Sequence, residues 1–187
     1  MASAISAQSS GAVVARDVQA AVNRAFGSSV ELVTTFDPYY ATGDFNGDFR
    51  VDLLAVVRVI GAQPERVRTI NPYRYTRTND EPVPALAFAI IHGAGNRGWS
   101  AASPQAVLLV RGGSPVSVMD DGRSRSSNVG DRRRLIEVWR RGNRRGRPSY
   151  LPRTARGDAI VLLTEAAEGV LYWNGVTYVW REDPEGY

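Results

Sequence analysis

The residues whose types and spacing fit a defined chemistry lie in one glycine-rich stretch near the first third of the chain. Four oxygen-bearing side chains occupy positions 1, 3, 5 and 9 of this stretch: Asp44, Asn46, Asp48 and Asp52. The backbone carbonyl of Arg50 falls at position 7. Carboxylate, amide and carbonyl oxygens at odd positions of a loop turn toward one centre, and hard Ca²⁺ takes such ligands. The spacing therefore predicts a loop that can bind a metal ion.

This stretch is not an EF-hand loop. Position 12 is Ala55, where an EF-hand needs a bidentate glutamate. The run 53–60 that follows is apolar and rich in β-branched residues, which is typical of a buried strand rather than a helix. The alternative is an ordinary turn rich in Asp, Asn and Gly that leads into a strand without any ion.

The letters GDFNGD over 43–48, followed by Asp52-Leu53 and a valine run, resemble the FG-GAP/VCBS calcium loop. That motif lies between strands in integrin-type propellers and in many secreted bacterial proteins. The resemblance covers only about a tenth of the chain, and it implies calcium bound by the four side chains at 44, 46, 48 and 52. It also implies a secreted or periplasmic location, with a cytoplasmic one as the alternative.

The chain departs from that family at two points. Phe49 stands where the family usually has glycine, and a phenylalanine with positive φ is unfavourable. The motif also occurs once, whereas a propeller needs at least about four blades. A propeller is therefore excluded, and the loop is expected to serve a smaller domain.

Composition predicts an ordinary globular domain. The chain has 187 residues, 43% hydrophobic and 22% charged, which is enough to bury a core in one domain over 13–187. It lacks cysteine and has one histidine, which excludes disulfides and zinc sites built from Cys or His. No apolar run is long enough to span a membrane. Residues 1–12 read as a flexible Ser/Ala-rich lead that is not a signal peptide, although it is compatible with the start of a processed chain.

The periodicities predict an α+β fold. Apolar residues recur at i+4 from Val14 to Phe26, which indicates a helix that Gly27 ends. Strands are predicted over 30–36, 51–60, 84–91, 106–110, 116–119 and 158–164, and residues 61–82 read as a long surface loop or a polar hairpin. Asn174-Gly175 between aromatic runs predicts a type I′ hairpin. The expected fold is a mainly antiparallel sheet with an N-terminal helix and a C-terminal β-hairpin.

The basic residues are all arginine, and twelve of the 23 fall in an Arg-rich loop region over 121–156. The candidates for binding an anion or a partner in this region are Arg132, Arg133, Arg134, Arg140, Arg141, Arg144 and Arg145. Arginines bind the phosphate backbone of nucleic acids, and their planar fork also pairs with carboxylates of an acidic protein. A solvated loop explains the same composition, so both alternatives stay open.

One further pattern matches the glycine motif of a dinucleotide-binding site. Residues 93–98 spell G-x-G-x-x-G directly after a predicted strand. A dinucleotide fold needs a long helix after the third glycine, but Pro104 and Gly112-Gly113 would break it. We therefore expect a glycine loop between two antiparallel strands, with a nucleotide-dependent enzyme as the weakest alternative.

No residue is assigned a catalytic role. His92 is the only histidine, and the sequence has no G-x-S-x-G elbow to accompany it. The sequence favours a small non-enzymatic binding or structural domain, stabilised by one calcium ion. An unknown protein or another anionic partner is the expected binding partner.

Overall fold

The structure is a computed structural model that describes residues 15–72, 85–110, 136–143, 145, 147–163 and 168–184. Within these ranges one α-helix, a six-stranded sheet and a four-stranded sheet form three layers. The predicted lead over 1–12 and the predicted strand over 116–119 lie outside the described residues. So do four of the candidate arginines: Arg132, Arg133, Arg134 and Arg144.

The helix α1 spans Ala15–Phe26, as the i+4 pattern predicted. Its buried face contains Val18, Val22 and Phe26, all at 0% exposure. Gly27 ends it in the left-handed region at φ 65°, where its N–H donates to the carbonyl of Asn23 at 2.9 Å. The helix therefore packs its apolar stripe onto the first sheet.

The first sheet contains β1 Val30–Leu32, β2 Tyr40–Gly43, β3 Asp52–Val59, β4 Val67–Ile70, β5 Ala85–His92 and β6 Ala106–Val110. Its order is β1-β3-β5-β6-β4, and β2 also pairs with β3. Only β4 and β6 run parallel among the described pairs of this sheet. The central strands β3, β5 and β6 confirm the three predictions made for the apolar runs there.

Two predictions for this sheet were wrong in detail. The strand expected over 30–36 ends at Leu32, and β2 follows at Tyr40–Gly43, where no strand was predicted. The region 61–82, expected to be a loop or polar hairpin, contains β4. Only Val67 of β4 is buried, at 8% exposure, so the strand shows no alternation of buried and exposed residues. Its partner β6 lies about forty residues further on, and local pattern cannot reveal such a pairing.

The second sheet contains β7 Ile136–Trp139, β8 Arg156–Leu163, β9 Glu168–Trp173 and β10 Tyr178–Glu182, in the order β10-β9-β8-β7. All its pairs are antiparallel. The fold is therefore α+β and mainly antiparallel, as expected. The β9–β10 hairpin is also confirmed, but its turn is longer than the predicted two residues.

That turn spans 174–177, because Trp173 pairs with Tyr178. The side-chain oxygen of Asn174 accepts the N–H groups of Val176 and Thr177 at 2.8 and 2.9 Å. This capture removes Val176 from the ladder and leaves it 76% exposed. The asparagine side chain thus explains why a four-residue turn forms in place of a type I′ turn.

The two faces of β3 contact different layers. Leu53, Ala55 and Val57 pack with the helix, whereas Leu54 and Val56 pack against the second sheet. Burial on both faces explains why the run reads as continuously apolar. Because the loop before β3 enters this strand between the layers, its residues lie beside both sheets.

Candidate metal site

The loop before β3 is closed around the carboxylate of Asp44. One oxygen of Asp44 accepts the N–H groups of Gly47 and Asp48 at 2.8 and 3.0 Å, and the other accepts the N–H of Phe49 at 3.0 Å. Gly47 has φ 80°, which glycine tolerates without cost. The first predicted ligand therefore organises the loop backbone directly.

Phe49 adopts the backbone conformation that the family pattern assigns to glycine. Its φ is 65°, the one positive value among the described non-glycine residues. Its ring is 83% exposed, and the guanidinium of Arg141 lies 5.4 Å from the ring centroid. Phe49 thus does not prevent the sharp turn, although a left-handed residue with a Cβ costs about 1–2 kcal/mol.

The oxygens at positions 3 and 5 stabilise successive turns of the same loop. Asn46 Oδ1 accepts the N–H of Asp48 at 3.1 Å, and Asp48 Oδ1 accepts the N–H of Arg50 at 2.9 Å. Asp48 Oδ2 also forms an ion pair with the Arg50 guanidinium at 3.2 Å, and that guanidinium side chain is 44% exposed. An arginine therefore neutralises the carboxylate at position 5.

Asp52 is fully buried, and both of its oxygens accept backbone N–H groups. Oδ2 accepts from Phe45 and Oδ1 from Gly93, each at 2.8 Å. Burial raises the pKa of Asp52 to about 7; these two hydrogen bonds oppose the rise, and the charges of Asp48 and Asp44 add to it. Asp52 thus links two loops while remaining within the electrostatic reach of the other carboxylates.

The described ranges contain no group of three His, Cys, Asp or Glu side chains placed to hold a metal ion. The five residues predicted to bind calcium do lie in one loop, but their acidic side chains do not converge on one point. The loop also offers two oxygen donors of other kinds, the side-chain amide oxygen of Asn46 and the backbone carbonyl of Arg50.

The loop is fastened to β8 of the second sheet. The N–H of Asp44 donates to Asp158 Oδ2 at 3.0 Å, and the N–H of Asp158 donates to the Asp44 carbonyl at 2.6 Å. A Cβ on Gly157 would lie 2.7 Å from the Gly47 nitrogen, so only glycine permits this approach. Phe45 is fully buried and packs with side chains of both sheets. The loop is therefore a joint between the two layers.

Two described arginines of the Arg-rich region, Arg140 and Arg141, lie beside this same loop. Arg140 donates to Asp158 Oδ2 at 2.8 Å, and the backbone N–H of Arg141 donates to Asp158 Oδ1 at 2.7 Å. Arg145 is exposed, and its backbone N–H donates to Asn143 Oδ1 at 3.1 Å. This proximity could not be predicted from the sequence, because about ninety residues separate the two segments.

A buried polar pair, which sequence reasoning also missed, lies at the end of β5. His92 Nε2 and the Tyr178 hydroxyl are 2.9 Å apart, and Trp173 contacts both rings edge-on. Burial lowers the pKa of His92 to about 4. Burial, followed by the charges of Asp52, Asp44 and Asp48, raises the pKa of Tyr178 well above its usual value. The pair joins the sheets by a hydrogen bond.

The G-x-G-x-x-G stretch forms a short 3₁₀ turn over Gly95–Arg97, between the antiparallel strands β5 and β6. This is the glycine loop that the sequence analysis expected. The N–H of Trp99 donates to the Val51 carbonyl at 2.8 Å, and a Cβ on Gly98 would lie 2.6 Å from that oxygen. The glycines therefore permit close backbone packing, in an arrangement unlike a βαβ unit.

Comparison of the chain with models of protein families, with curated proteins and with solved structures finds no match. Within the described part of the chain, no helix has the length and apolar character needed to cross a membrane.

Proposed function

We propose that the protein is a small non-enzymatic binding or structural domain in which the Asp44–Asp52 loop takes one calcium ion. The observation that supports this most is electrostatic. The charges of Asp44 and Asp48 both raise the pKa of the buried Asp52, so negative charge is concentrated around that carboxyl group within one closed loop. A divalent cation bound there would relieve that repulsion.

The donors fit a hard cation. Asp44, Asn46 and Asp48 would supply side-chain oxygens, and Arg50 would supply its carbonyl. Before Asp48 can bind the ion, it must release the Arg50 guanidinium, which is partly exposed and free to move into solvent. Asp52 would contribute its charge while its oxygens keep the two backbone hydrogen bonds.

The consequence would be a stiffer joint between the two sheets. The backbone of Asp44 is bonded in both directions to Asp158, and Phe45 is buried between the layers. Ordering the loop would therefore strengthen contacts well beyond it. Few charged ligands and one competing ion pair favour weak binding, in the range of about 10⁻⁴–10⁻³ M that suits extracellular calcium modules. For this reason we also propose a secreted or periplasmic location.

A thermal melt with excess calcium, excess magnesium or chelator tests the proposal. We expect calcium alone to stabilise the fold, by about 2.7 kcal/mol at a hundredfold excess over Kd. Magnesium should have a much smaller effect, because it demands octahedral geometry and loses its waters reluctantly. Equal melting temperatures in all three conditions would contradict the calcium site.

Variants locate the effect. Asp48→Asn keeps an acceptor oxygen but removes one charge, and Asp44→Ala removes the acceptor of three N–H groups. We expect the calcium shift to shrink in the first variant and to vanish in the second. Asp17→Asn in the first turn of α1 is the matched control, and it should keep the full shift. An undiminished shift in Asp44→Ala would remove this loop as the site.

A further inference from the structure

Phe49 is placed unfavourably for the fold in two ways. It holds a left-handed backbone conformation in which glycine would be unstrained, and its ring is 83% exposed. Among the described residues, the guanidinium of Arg141 lies over the Phe49 ring, 5.4 Å from its centroid. Strained residues that persist without a benefit to the fold concentrate at sites of function. The ring is therefore available to a molecule outside the chain.

Around Phe49 two arginines are paired with carboxylates, whereas the Asp44 carboxylate is held by backbone N–H groups. Arg50 pairs with Asp48, and Arg140 pairs with Asp158. Arg141 forms no ion pair with any described carboxylate. Its backbone is fixed by Asp158, and its guanidinium lies at cation–π distance from Phe49. One positive charge is thus held ready beside an open aromatic ring.

The chain around this point attracts anions. Between residues 121 and 156, twelve arginines stand against three acidic residues, which gives a net charge of +9 in a chain whose total is +4. The remainder of the chain is therefore acidic. Such an asymmetric distribution steers a polyanion toward the basic segment, and Arg141 of that segment lies beside Phe49.

We propose that this surface, the Phe49 platform, binds single-stranded nucleic acid. It consists of Phe49, Arg50, Arg140 and Arg141. The guanidinium of Arg141 lies on one side of the ring, and the high exposure leaves the other side open for a base to stack. Arginines around an exposed aromatic are the combination that binds single strands without sequence preference. The proposal does not require the calcium ion.

The same features disfavour other polyanions. In a duplex the base faces are already stacked, so Phe49 would add nothing. An acidic polypeptide offers carboxylates to the arginines but supplies no succession of flat rings. A membrane surface needs several apolar side chains at one tip, and near Phe49 the one other exposed large apolar side chain among the described residues is Val51.

The direct test is fluorescence anisotropy of a labelled oligothymidylate of about 12 nucleotides, in chelator. We expect binding whose affinity falls steeply between about 50 and 200 mM salt, with a slope of about −0.7 per phosphate contacted. Unlabelled duplex, polyglutamate and phosphatidylglycerol vesicles serve as competitors. The proposal is overturned if the oligonucleotide does not bind, or if any of these competes as well as the unlabelled single strand.

Phe49→Gly separates stacking from charge, because it removes the ring and relieves the backbone strain without endangering the fold. We expect it to weaken binding about 5- to 150-fold, as loss of a stacked base does, and Phe49→Trp to restore it. Val176→Ala, which trims another exposed apolar side chain, should bind as the parent does. Parental affinity in Phe49→Gly would reduce the interaction to nonspecific charge and overturn the proposal.

Arg141→Gln should weaken binding several-fold and lower the salt slope by about 0.7, the loss of one phosphate contact. Arg16→Gln in the helix changes net charge equally and should leave both quantities unchanged. If the two variants behave alike, the surface around Phe49 is not the binding site and the proposal is overturned. All these measurements are made without calcium, so their failure is distinguishable from a failure of the calcium loop.

Discussion

Two loops meet at the start of β3, and their backbones are held in different ways. The Asp44–Asp52 loop enters β3, and the Gly93–Gly98 loop leaves β5 beside it. In the first, carboxylate and amide oxygens accept the backbone N–H groups. In the second, backbone packs directly on backbone, with Gly93 and Gly98 against the Val51 carbonyl. Asp52 joins the two by accepting the N–H of Gly93.

The difference between the two loops shows when a glycine motif indicates a binding site. Gly47 is needed for its positive φ and because a Cβ there would lie 2.9 Å from the Gly157 nitrogen, and the oxygens around it make the loop polar and charged. Gly93 has no positive φ, and it is needed because no Cβ fits. In this fold the G-x-G-x-x-G motif therefore marks close backbone packing, whereas the acidic motif of the Asp44–Asp52 loop supplies oxygen donors.

The largest expected effect comes from a substitution that disrupts the Gly93–Gly98 loop. In Gly93→Ala the new Cβ would fall on the Val51 carbonyl oxygen and lie 2.7 Å from the Gly98 backbone. Backbone atoms on both sides must shift, and the hydrogen bond to buried Asp52 shifts with them. We expect a loss of about 3 kcal/mol in the free energy of unfolding, measured by denaturant titration.

Gly95→Ala is the matched control within the same loop. Gly95 has φ 54°, but a Cβ there would meet nothing within 4 Å. This variant should lose only about 1 kcal/mol, the cost of a left-handed alanine. If Gly93→Ala costs no more than Gly95→Ala, close packing does not explain the glycine pattern.

The next effect concerns pH and the buried groups under the two loops. The folded pKa of Asp52 is raised to about 7, so native Asp52 keeps a proton that the unfolded chain releases, and stability falls as pH rises from about 4 to 7. The folded pKa of His92 is lowered to about 4. Between pH about 4 and 6.5, His92 is therefore protonated in the unfolded chain but neutral in the native protein. Stability from His92 therefore rises as pH rises from about 4 to 6.5. The two slopes oppose each other in that window.

Removing one group should expose the slope of the other. Relative to the parent in chelator, His92→Gln should lose stability with rising pH, by at most about 1.4 kcal/mol per pH unit. Asp52→Asn should gain stability with rising pH over the same window. Unfolding titrations at several pH values measure both slopes. The same sign of change in both variants would contradict the opposed linkage.

Most of the fold was predictable because its signals are local. The helix over Ala15–Phe26, the strands β3, β5 and β6, and the C-terminal hairpin each carry their own periodicity or turn residues. The candidate metal loop was predictable for the same reason, since its five residues lie within nine positions. Its occupation by calcium stays a prediction.

The remainder depends on contacts between distant segments. The division into two sheets, the parallel pairing of β4 with β6, and the bond between His92 and Tyr178 join residues far apart in sequence. Asp158 reads as an ordinary strand residue, yet it holds both Asp44 and Arg140. Asp52 was expected to be a metal ligand, and only the structure shows that both its oxygens already accept N–H groups.

The smallest expected effect concerns the backbone strain at Phe49 in the Asp44–Asp52 loop. If Phe49 is strained only by its left-handed backbone, replacements that differ in the Cβ alone should show it. Neither Phe49→Ala nor Phe49→Gly has the ring, so both lose the contact with Arg141 equally. We expect the glycine variant to be more stable than the alanine variant by about 1 kcal/mol, measured by denaturant titration. The order would reverse if the loop relaxed to negative φ in solution, because glycine would then only increase the entropy of the unfolded chain. The sign of this one difference therefore reports whether the sharp turn at position 49 exists.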